Sequence, residues 1–366
     1  MARHLTTYRT ILKTFGPRLR PLGTFGLLQL HRLVNATTRG LDTLLYPALR
    51  ETAVERPVFI LGNPRSGTTF VHRFLLHTGQ LCAFELWEML LPALTARVAF
   101  EPVVHRLAPL SPARYHSSAA HETSLRDVET DDAMAFFHFV DGGFLWSYFL
   151  AWDDQWGSET SRRYFDPARW DRAERERMFR YLEACWRRNR LAHGGKRNLV
   201  KSATLTLDVA DLLRRYPDCR IIYLVRDPVA TIPSGMSLLT GVIDQAYDFW
   251  NTTSATARAR YLENLYQASC HLYRAFHDAH QRGDIPAENV TIVTYPQLMG
   301  ELEATMERLV AFAGLEPASS FWERVESQAD RQRARRSAHR YSLEKFGLSA
   351  ERIRRDLAFL YDAYDL

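Results

Sequence analysis

Val58-Phe-Ile-Leu-Gly-Asn-Pro-Arg-Ser-Gly-Thr-Thr69 is the stretch that decides the fold of this chain. Its apolar start, from Val58 to Leu61, predicts a buried strand. A Gly-Asn-Pro-Arg-Ser-Gly turn follows, and Thr68 opens an apolar segment that predicts a helix through Leu76. This order favours anion binding, because the first backbone N–H groups of a helix are free and the helix dipole is positive there.

The loop itself resembles a P-loop with one residue changed. Its spacing, Gly62-x4-Gly67, matches that motif, but Thr68 stands at the position of the P-loop lysine. That lysine is the residue that reaches the β- and γ-phosphates of a nucleoside triphosphate. The nearest cation here is Arg65, inside the loop. The sequence therefore predicts a loop that binds phosphate but lacks the usual contact to a triphosphate.

Further strands and helices predict the fold class. Apolar runs predict strands at 197–201, 220–225 and 290–294, and helical periodicity returns at about 169–191, 205–216, 255–280, 300–313 and 349–364. The order strand, helix, strand predicts an α/β protein with a P-loop-like, doubly wound parallel sheet flanked by helices. Because no Pro/Gly/Ser-rich linker divides it, 51–366 is predicted to be a single domain, with an irregular aromatic insertion at about 81–165.

Residues 1–50 predict an α-helical N-terminal extension. Apolar residues recur there at helical spacing, with His and Arg residues on the other face: Leu27, Leu30, Val34, Leu41, Leu44 and Leu45. The favoured interpretation is a helix that packs its leucines on the main domain. The alternative is a basic amphipathic helix that lies on a membrane surface.

Composition limits the class of protein. The 366 residues are 46% hydrophobic and 24% charged, as in an ordinary globular protein. A net charge of +5 suits an anionic ligand but is too small to indicate a nucleic-acid partner. The four cysteines are far apart and form no C-x-x-C pair, so we expect reduced thiols.

The sequence predicts a cytoplasmic protein, with peripheral membrane contact as the alternative. Residues 1–25 are basic but lack the continuous apolar segment and small-residue cleavage site of a signal peptide. Residues 133–152 are long enough to span a bilayer, but His138 and Asp141 near their middle would be costly in hydrocarbon.

Cationic residues follow three of the predicted strands. Arg65 follows the first, Lys201 the second and Arg226 the third. Ligands of open parallel sheets bind beyond the carboxyl ends of the strands, so these residues predict an anion site. Pro228 suits the first turn of a helix whose N-terminus binds the anion together with Arg226. Ser234, eight residues after Arg226, would add a hydroxyl group.

Two of these motifs resemble those of sulfotransferases that use 3′-phosphoadenosine 5′-phosphosulfate (PAPS). Residues 62–69 are similar to the family's 5′-phosphosulfate loop, in the Pro-Arg-Ser-Gly-Thr-Thr form of its tyrosylprotein and bacterial branches. Arg226-Asp-Pro228 with Ser234 resembles the family's 3′-phosphate motif, with the interval of eight intact. Lys201-Ser202 resembles the Lys-Ser-Pro segment of bacterial-type members, although Ala203 replaces the proline.

The resemblance runs from about residue 57 to the C-terminus. Residues 293–295 and 312–315 are similar to the family's distal strand and helix, and residues 339–347 to its C-terminal segment. The resemblance implies that PAPS binds without a metal, at Arg65, Ser66, Gly67, Thr68, Thr69, Phe70, Arg226, Ser234, Tyr295, Arg336, His339 and Arg340.

A run of arginines leads into the start of this C-terminal segment, with no acidic residue between them. It consists of Arg331, Arg333, Arg335, Arg336 and Arg340. Two interpretations stand side by side: a basic solvated loop, or the family's flap that closes over the 3′-phosphate.

Arg65 stands where many cytosolic sulfotransferases have Lys. Arg keeps a permanent charge and binds phosphate oxygens in a bidentate way, but it gives up a proton less readily than Lys. We therefore hypothesise that Lys201, at its strand end, takes part of the role of stabilising the leaving phosphate.

A general base must take the proton of the acceptor. The resemblance implies either a Glu shortly after the loop or a His before the second pair of strands. Glu88 and Glu85 fit the first position, 23 and 20 residues after Arg65. Glu88 is favoured, because a carboxylate desolvated by neighbouring aromatic residues suits a general base. His121, His116 and Glu129 fit the second position loosely; a structural hydrogen bond is the alternative for each.

The acceptor is the least defined part of the prediction. Eight aromatic residues lie between Phe136 and Trp152, most of them expected in the core, and part of this acceptor-side stretch favours an apolar or lipid-like small molecule. We predict sulfuryl transfer to a hydroxyl, less readily to an amine. The alternatives are a P-loop phosphotransferase (kinase) and a non-catalytic nucleotide-binding protein. Thr68 in place of the P-loop lysine argues against the kinase, as does the lack of a convincing Mg²⁺ cluster. Asp131-Asp132 could in principle bind Mg²⁺, but two adjacent acids are more often solvated or act as helix caps.

Overall fold

The computed structural model describes residue 12 and residues 19–107, 124–134, 155–158, 172–334 and 342–366. Contacts between Cα atoms group these residues into two compact units. The sheet unit contains the described residues within 54–83, 196–235 and 269–366. The helical unit contains those within 1–53, 84–195 and 236–268. The predicted division into an extension over 1–50 and one domain over 51–366 stays a prediction.

The sheet unit is built on a parallel sheet. Within the described residues its strands are β1 (Val58–Leu61), β2 (Leu81–Cys82), β3 (Arg197–Lys201), β4 (Arg220–Val225) and β5 (Val290–Thr294). Their order is β2-β3-β1-β4-β5, and every pair is parallel. Val58 of the central strand pairs with Leu199 on one side and Arg220 on the other. The predicted doubly wound parallel sheet is confirmed, and β2 is a strand that the sequence reasoning missed.

The described α-helices follow in chain order. They are α1 (Leu19–Leu45), α2 (Thr68–Leu76), α3 (Leu86–Leu90), α4 (Leu94–Leu107), α5 (Arg172–Ala192), α6 (Val209–Arg215), α7 (Pro228–Tyr247), α8 (Phe249–Thr252), α9 (Ala255–Gln281), α10 (Tyr295–Gly300), α11 (Leu302–Ala313), α12 (Ser319–Ala334), α13 (Ala350–Asp356) and α14 (Ala358–Ala363). Short 3₁₀ helices cover Pro47–Arg50, Thr204–Asp208, Ala287–Asn289 and Glu344–Phe346.

Both faces of the sheet are buried, which explains the continuous apolar runs of its central strands. On one face, Ile60 and Leu224 share a core with Val71 of α2 and Leu309 of α11. The other face carries aromatic contacts within the sheet unit, such as the stacking of Tyr223 on Phe276 with ring centroids 3.4 Å apart. Alternate residues of each strand therefore pack against different helical layers.

The N-terminal helix α1 corrects one prediction. Its leucines were expected to pack on the main domain, yet Leu30 and Leu44 are 57% and 76% exposed. The buried side of α1 is polar: Asn35 and Asp42 are fully buried. Asp42 accepts hydrogen bonds from the backbone N–H groups of Leu94 and Thr95, at the start of α4. These hydrogen bonds to residues far away in sequence, which periodicity does not reveal, decide that the polar side of α1 is buried and its leucines are exposed.

The described part of 81–165 is more regular than predicted. Its first part forms β2, α3 and α4. Helix α3 is stabilised by a capping box of Glu85 and Glu88, and α4 by its distant cap, Asp42. Nearly all of the membrane candidate, 133–152, lies outside the described residues. Of the helices that the structure describes, none is long and apolar enough to cross a bilayer.

Several other boundaries were predicted only in outline. The helix expected over 205–216 is a 3₁₀ turn followed by α6, and the helix expected over 349–364 is divided at Leu357 into α13 and α14. Helix α12 was not predicted. All four cysteines are free and buried, in agreement with the expected reduced thiols.

Candidate functional site

The loop between β1 and α2 contains three residues with positive φ. Gly62 and Gly67 have φ of 132° and 102°, and Arg65 between them has φ of 75°. A Cβ on Gly62 would lie 2.3 Å from the carbonyl oxygen of Leu224, in the neighbouring strand β4. A side chain at this position would therefore push the loop away from the sheet edge.

Side-chain hydrogen bonds hold this loop in place. The Oγ of Ser66 donates to the carbonyl oxygen of Asn63 at 2.7 Å, and the Nδ2 of Asn63 donates to the carbonyl oxygen of Ser269 in α9 at 2.9 Å. Asn63 and Ser66 are both buried. Sequence reasoning assigned no role to Asn63, although its place between a strand and a Gly-rich turn is typical of a residue that shapes a loop.

The first N–H groups of α2 are available to a ligand. Among the described residues, no hydrogen-bond acceptor is present for the backbone amides of residues 67–70, whereas Val71 donates to the carbonyl oxygen of Gly67. These amides lie at the positive end of the helix dipole, where a phosphate or sulfate oxygen is stabilised. The predicted loop residues Arg65, Ser66, Gly67, Thr68, Thr69 and Phe70 thus form one short continuous segment, and its binding of an anion stays a prediction.

Arg65, Ser234 and Arg226 form one connected cluster. The Nε of Arg65 donates to the Oγ of Ser234 at 3.0 Å. The Nη1 of Arg226 donates to the carbonyl oxygen of Arg65 at 3.1 Å. Two motifs that the sequence separates by more than 150 residues, one after β1 and one after β4, therefore meet at the carboxyl ends of adjacent strands. This arrangement places two permanent positive charges beside the loop.

Aromatic residues position the Arg226 segment. The guanidinium carbon of Arg226 lies 3.9 Å from the ring centroid of Tyr295, a predicted site residue. The hydroxyl of Tyr273 donates to the carbonyl oxygen of Arg226 at 3.1 Å, and that of Tyr361 donates to Oδ1 of Asp227 at 2.7 Å. Burial, with the contact to Asp227, raises the pKa of Tyr361, so this hydroxyl remains a hydrogen-bond donor. Tyr273 and Tyr361 were missed, because nothing in the sequence pattern links them to residues 226–228.

Lys201 lies at the end of β3, as predicted. Its Nζ donates to Oγ1 of Thr69 at 3.1 Å, so that this cation sits beside the first turn of α2. The side chain is almost fully buried. Behind it, His72 of α2 is fully buried, and burial together with the positive charge of Lys201 lowers the pKa of His72 well below 6.5.

Two of the predicted general bases, Glu85 and Glu88, lie in the helical unit and make structural contacts there. Glu88 is buried, its Oε1 lies 2.8 Å from Nη1 of Arg97, and its Oε2 accepts from the backbone N–H of Glu85 at 2.8 Å. The Oε2 of Glu85 accepts from Nε1 of Trp87 at 2.8 Å and lies 3.5 Å from Nε of Arg126. Both carboxylates thus have structural partners, and their role as a base stays a prediction.

Other predicted site residues fall outside the described part of the chain. These are His116, His121, Arg335, Arg336, His339 and Arg340, with the aromatic stretch 136–152. Arg331 and Arg333 are described and belong to α12, not to a loop. Arg333 forms ion pairs with Glu303 of α11 and Asp330 of α12, so this end of the arginine run has acidic partners on these two helices.

No metal centre is found in the part of the chain that the structure describes. Within those residues, no three or more His, Cys, Asp or Glu side chains are grouped to hold an ion. Asp131 and Asp132 are buried rather than solvated. Asp131 accepts from Nε1 of Trp186 at 3.1 Å, and Asp132 accepts from the hydroxyl of Thr130 at 2.7 Å.

Comparison with known proteins identifies the family. The family model described as "Sulfotransferase family" matches residues 57–319. The chain therefore belongs to the sulfotransferase family, as the two phosphate motifs indicate. A search of curated proteins finds no match.

Among the solved structures that match this chain, two with high structural similarity have low sequence identity. Sulfotransferase STF9 from Mycobacterium avium has a TM-score of 0.75 at 18% identity, over 96% of this chain and 87% of its own. Sulfotransferase STF1 from Mycobacterium tuberculosis H37Rv has a TM-score of 0.71 at 17% identity, over 98% and 90%. At this identity the likeness shows the fold alone.

Proposed function

We propose that this member of the sulfotransferase family transfers a sulfuryl group from PAPS to a hydroxyl group of a small molecule and releases 3′,5′-adenosine bisphosphate. The observation that carries the proposal is the cluster of Arg65, Ser234 and Arg226 beside the free amides of α2. An ATP-binding loop needs one polyphosphate site. PAPS carries a phosphosulfate at the 5′ position and a phosphate at the 3′ position of its ribose. The cluster offers cations from two separate motifs, one for each group.

The residues present suit such a donor. The amides of residues 67–70 would bind the 5′-phosphosulfate, and glycines at 62 and 67 leave the backbone open to close approach. Arg226 and Ser234 would bind the 3′-phosphate, with Arg336, His339 and Arg340 as further predicted partners. The stacking of Arg226 on Tyr295 limits the movement of its guanidinium, which preserves the geometry of a bidentate contact.

The chemistry follows from charges that this chain places in advance. PAPS supplies the sulfuryl group, and transfer leaves negative charge on its 5′-phosphate. Arg65 and Lys201 would stabilise that developing charge from fixed positions. A carboxylate or imidazole must also accept the proton of the acceptor hydroxyl, for which Glu88, Glu85 and His121 are the proposed candidates. No residue in this proposal requires a metal ion.

The acceptor is proposed to be apolar or lipid-like. This part rests on the aromatic content of residues 136–152. Apolar pockets with a few polar groups are the usual form of small-molecule sites. A broad acceptor screen with labelled PAPS, covering sterol-like, polyketide, phenolic and lipid hydroxyls, would identify the acceptor class. If no hydroxyl compound is sulfated but amines are, the proposed hydroxyl acceptor is wrong.

Donor identity is tested by calorimetry with 3′,5′-adenosine bisphosphate in the absence of magnesium. We expect the wild-type protein to bind it, and Arg226→Ala to weaken binding by about tenfold to a hundredfold, because a charge-assisted hydrogen bond is lost. Arg282→Ala, which removes an exposed arginine paired with Asp284, is the matched control and should bind normally. Magnesium-dependent binding of ATP, with none of the bisphosphate, would instead indicate a kinase.

A further inference from the structure

Helix α1 has the reverse of the usual amphipathic arrangement. Six leucines on it are exposed by 42–76% and are named here the leucine face: Leu27, Leu30, Leu33, Leu41, Leu44 and Leu45. At 100° per residue they fall within an arc of about 120° on one side of the helix. The buried residues on the opposite side, Asn35 and Asp42, are polar. An apolar face of this size on solvent marks a binding surface.

Buried polar contacts hold the leucine face outward. The carboxylate of Asp42 accepts from the backbone N–H groups of Leu94 and Thr95 and lies 2.7 Å from Nε of Arg188. About two turns before Asp42 in α1, the Nδ2 of Asn35 donates to the carbonyl oxygen of Leu90 at 3.0 Å. Rotating the helix to bury its leucines would leave these charged and polar groups without partners, at a cost of several kcal/mol.

Helix α4 adds apolar surface next to α1. The two helices pack against each other within the helical unit. Val98, Phe100 and Val103 of α4 are 68%, 44% and 45% exposed. Large exposed aliphatic and aromatic side chains on two neighbouring helices are costly in water, since each would gain free energy on burial.

Charge distinguishes between the possible occupants of this surface. Residues 1–50 contain eight Lys and Arg against one acid, a net charge of +7, while the other 316 residues carry −2. The one acid is Asp42, which is buried and paired with Arg188. Two copies of this chain joined through the leucine face would bring together two segments of +7, which repel each other. An anionic surface attracts such a segment.

We propose that α1 is an interfacial helix that docks this protein on an anionic lipid membrane. The leucine face would enter the boundary between headgroups and acyl chains, to a depth of about 5–10 Å, and the net charge of +7 over residues 1–50 would attract the protein to anionic headgroups. The inference stands on the helical unit and the charge distribution, and it holds whether or not PAPS is the donor.

The test is flotation of the full-length protein with two kinds of vesicle, phosphatidylcholine alone and equal parts of phosphatidylcholine and phosphatidylglycerol. We expect binding to the anionic vesicles that decreases with added salt. The variant Leu30→Gln/Leu41→Gln/Leu44→Gln should lower the partition coefficient by at least about tenfold. Ala36→Gln/Thr43→Gln is the matched control: both residues are exposed on α1 but lie outside the leucine face, so its binding should be unchanged.

Two further measurements make the outcome decisive. Thermal unfolding should show that the triple variant remains folded, because the substituted side chains are exposed. Sedimentation equilibrium should give the same mass for the wild type and the triple variant. Absence of binding to anionic vesicles, or equal binding by the triple variant, overturns the proposal. A wild-type dimer that the triple variant abolishes, without vesicle binding, would assign the leucine face to a second copy of the chain. Binding of the bisphosphate is measured separately, so failure here leaves the proposed function untouched.

Discussion

The guanidinium Nε of Arg65 lies 3.0 Å from the hydroxyl oxygen of Ser234, although 168 residues separate them along the chain. Arg65 belongs to the loop after β1, and Ser234 to the helix that follows β4. Parallel pairing of β1 with β4 brings these two segments to the same edge of the sheet. The contact joins the loop that suits a 5′-phosphosulfate to the motif that suits a 3′-phosphate. A substitution at either residue should therefore change ligand binding at both proposed phosphate positions.

Ser234→Ala tests this link. We expect the Kd for 3′,5′-adenosine bisphosphate to rise by roughly three- to tenfold, because Arg65 loses its hydrogen-bond acceptor and the ligand a hydroxyl donor. Calorimetry measures the change. Ser237→Ala, one turn further along α7, is the control and should bind like the wild type. An unchanged Kd in Ser234→Ala would remove Ser234 from the site.

Lys201→Met tests the proposed stabilisation of the leaving phosphate. We expect kcat for sulfuryl transfer to fall on the order of 100-fold, since a preorganised charge near the reacting group is lost, while the Kd for the bisphosphate changes less. Steady-state kinetics with labelled PAPS gives kcat. Thr69→Val is the comparison, because it removes the hydroxyl that Lys201 contacts but keeps the cation. Full kcat in Lys201→Met would exclude this role.

Glu88→Gln separates a structural role from a catalytic one. The substitution leaves the buried guanidinium of Arg97 facing a neutral group, so we expect the free energy of unfolding to fall by about 2 kcal/mol or more. Urea denaturation measures it. Glu303→Gln breaks an exposed pair with Arg333 and should cost less than about 1 kcal/mol. Wild-type kcat per folded molecule in Glu88→Gln would show that Glu88 is not the general base.

His72 predicts a pH dependence of stability. Burial and the charge of Lys201 hold its pKa in the folded protein well below 6.5, the ordinary value expected in the unfolded chain. As the pH falls below about 6.5, the unfolded chain takes up a proton that the folded protein does not, so the folded state loses stability. This contribution has a limiting slope of about 1.4 kcal/mol per pH unit and vanishes above about pH 7.

Urea denaturation at about pH 7.5 and about pH 5.5 measures this effect. His72→Gln should lose less stability between the two values than the wild type, whatever its absolute stability. His31 and His77 also have a lowered pKa through burial, and their contributions remain in both proteins. Equal losses in wild type and variant would mean that His72 does not contribute.

Strands β1, β3, β4 and β5 and the phosphate loop were predictable because their signals are local. Strand β1 is a continuous apolar run, and the Gly-Asn-Pro-Arg-Ser-Gly turn restricts its own backbone. The cations at 65, 201 and 226 were predicted from their places after strands, and parallel pairing brings these strand ends together. By contrast, the contacts of Tyr273 and Tyr361 with residues 226–227 join segments that no spacing rule connects.

What the sequence determined by itself is the α/β class, the phosphate-binding loop and the family, since short motifs encode backbone conformation and charge within a few residues. Only the tertiary structure decided that Arg65, Ser234 and Arg226 form one cluster and that α1 exposes its leucines. In the first case strand pairing sets the distance. In the second, the buried partners of Asp42 outweigh the burial of the leucines, because an unpaired buried charge costs more than several exposed methyl groups.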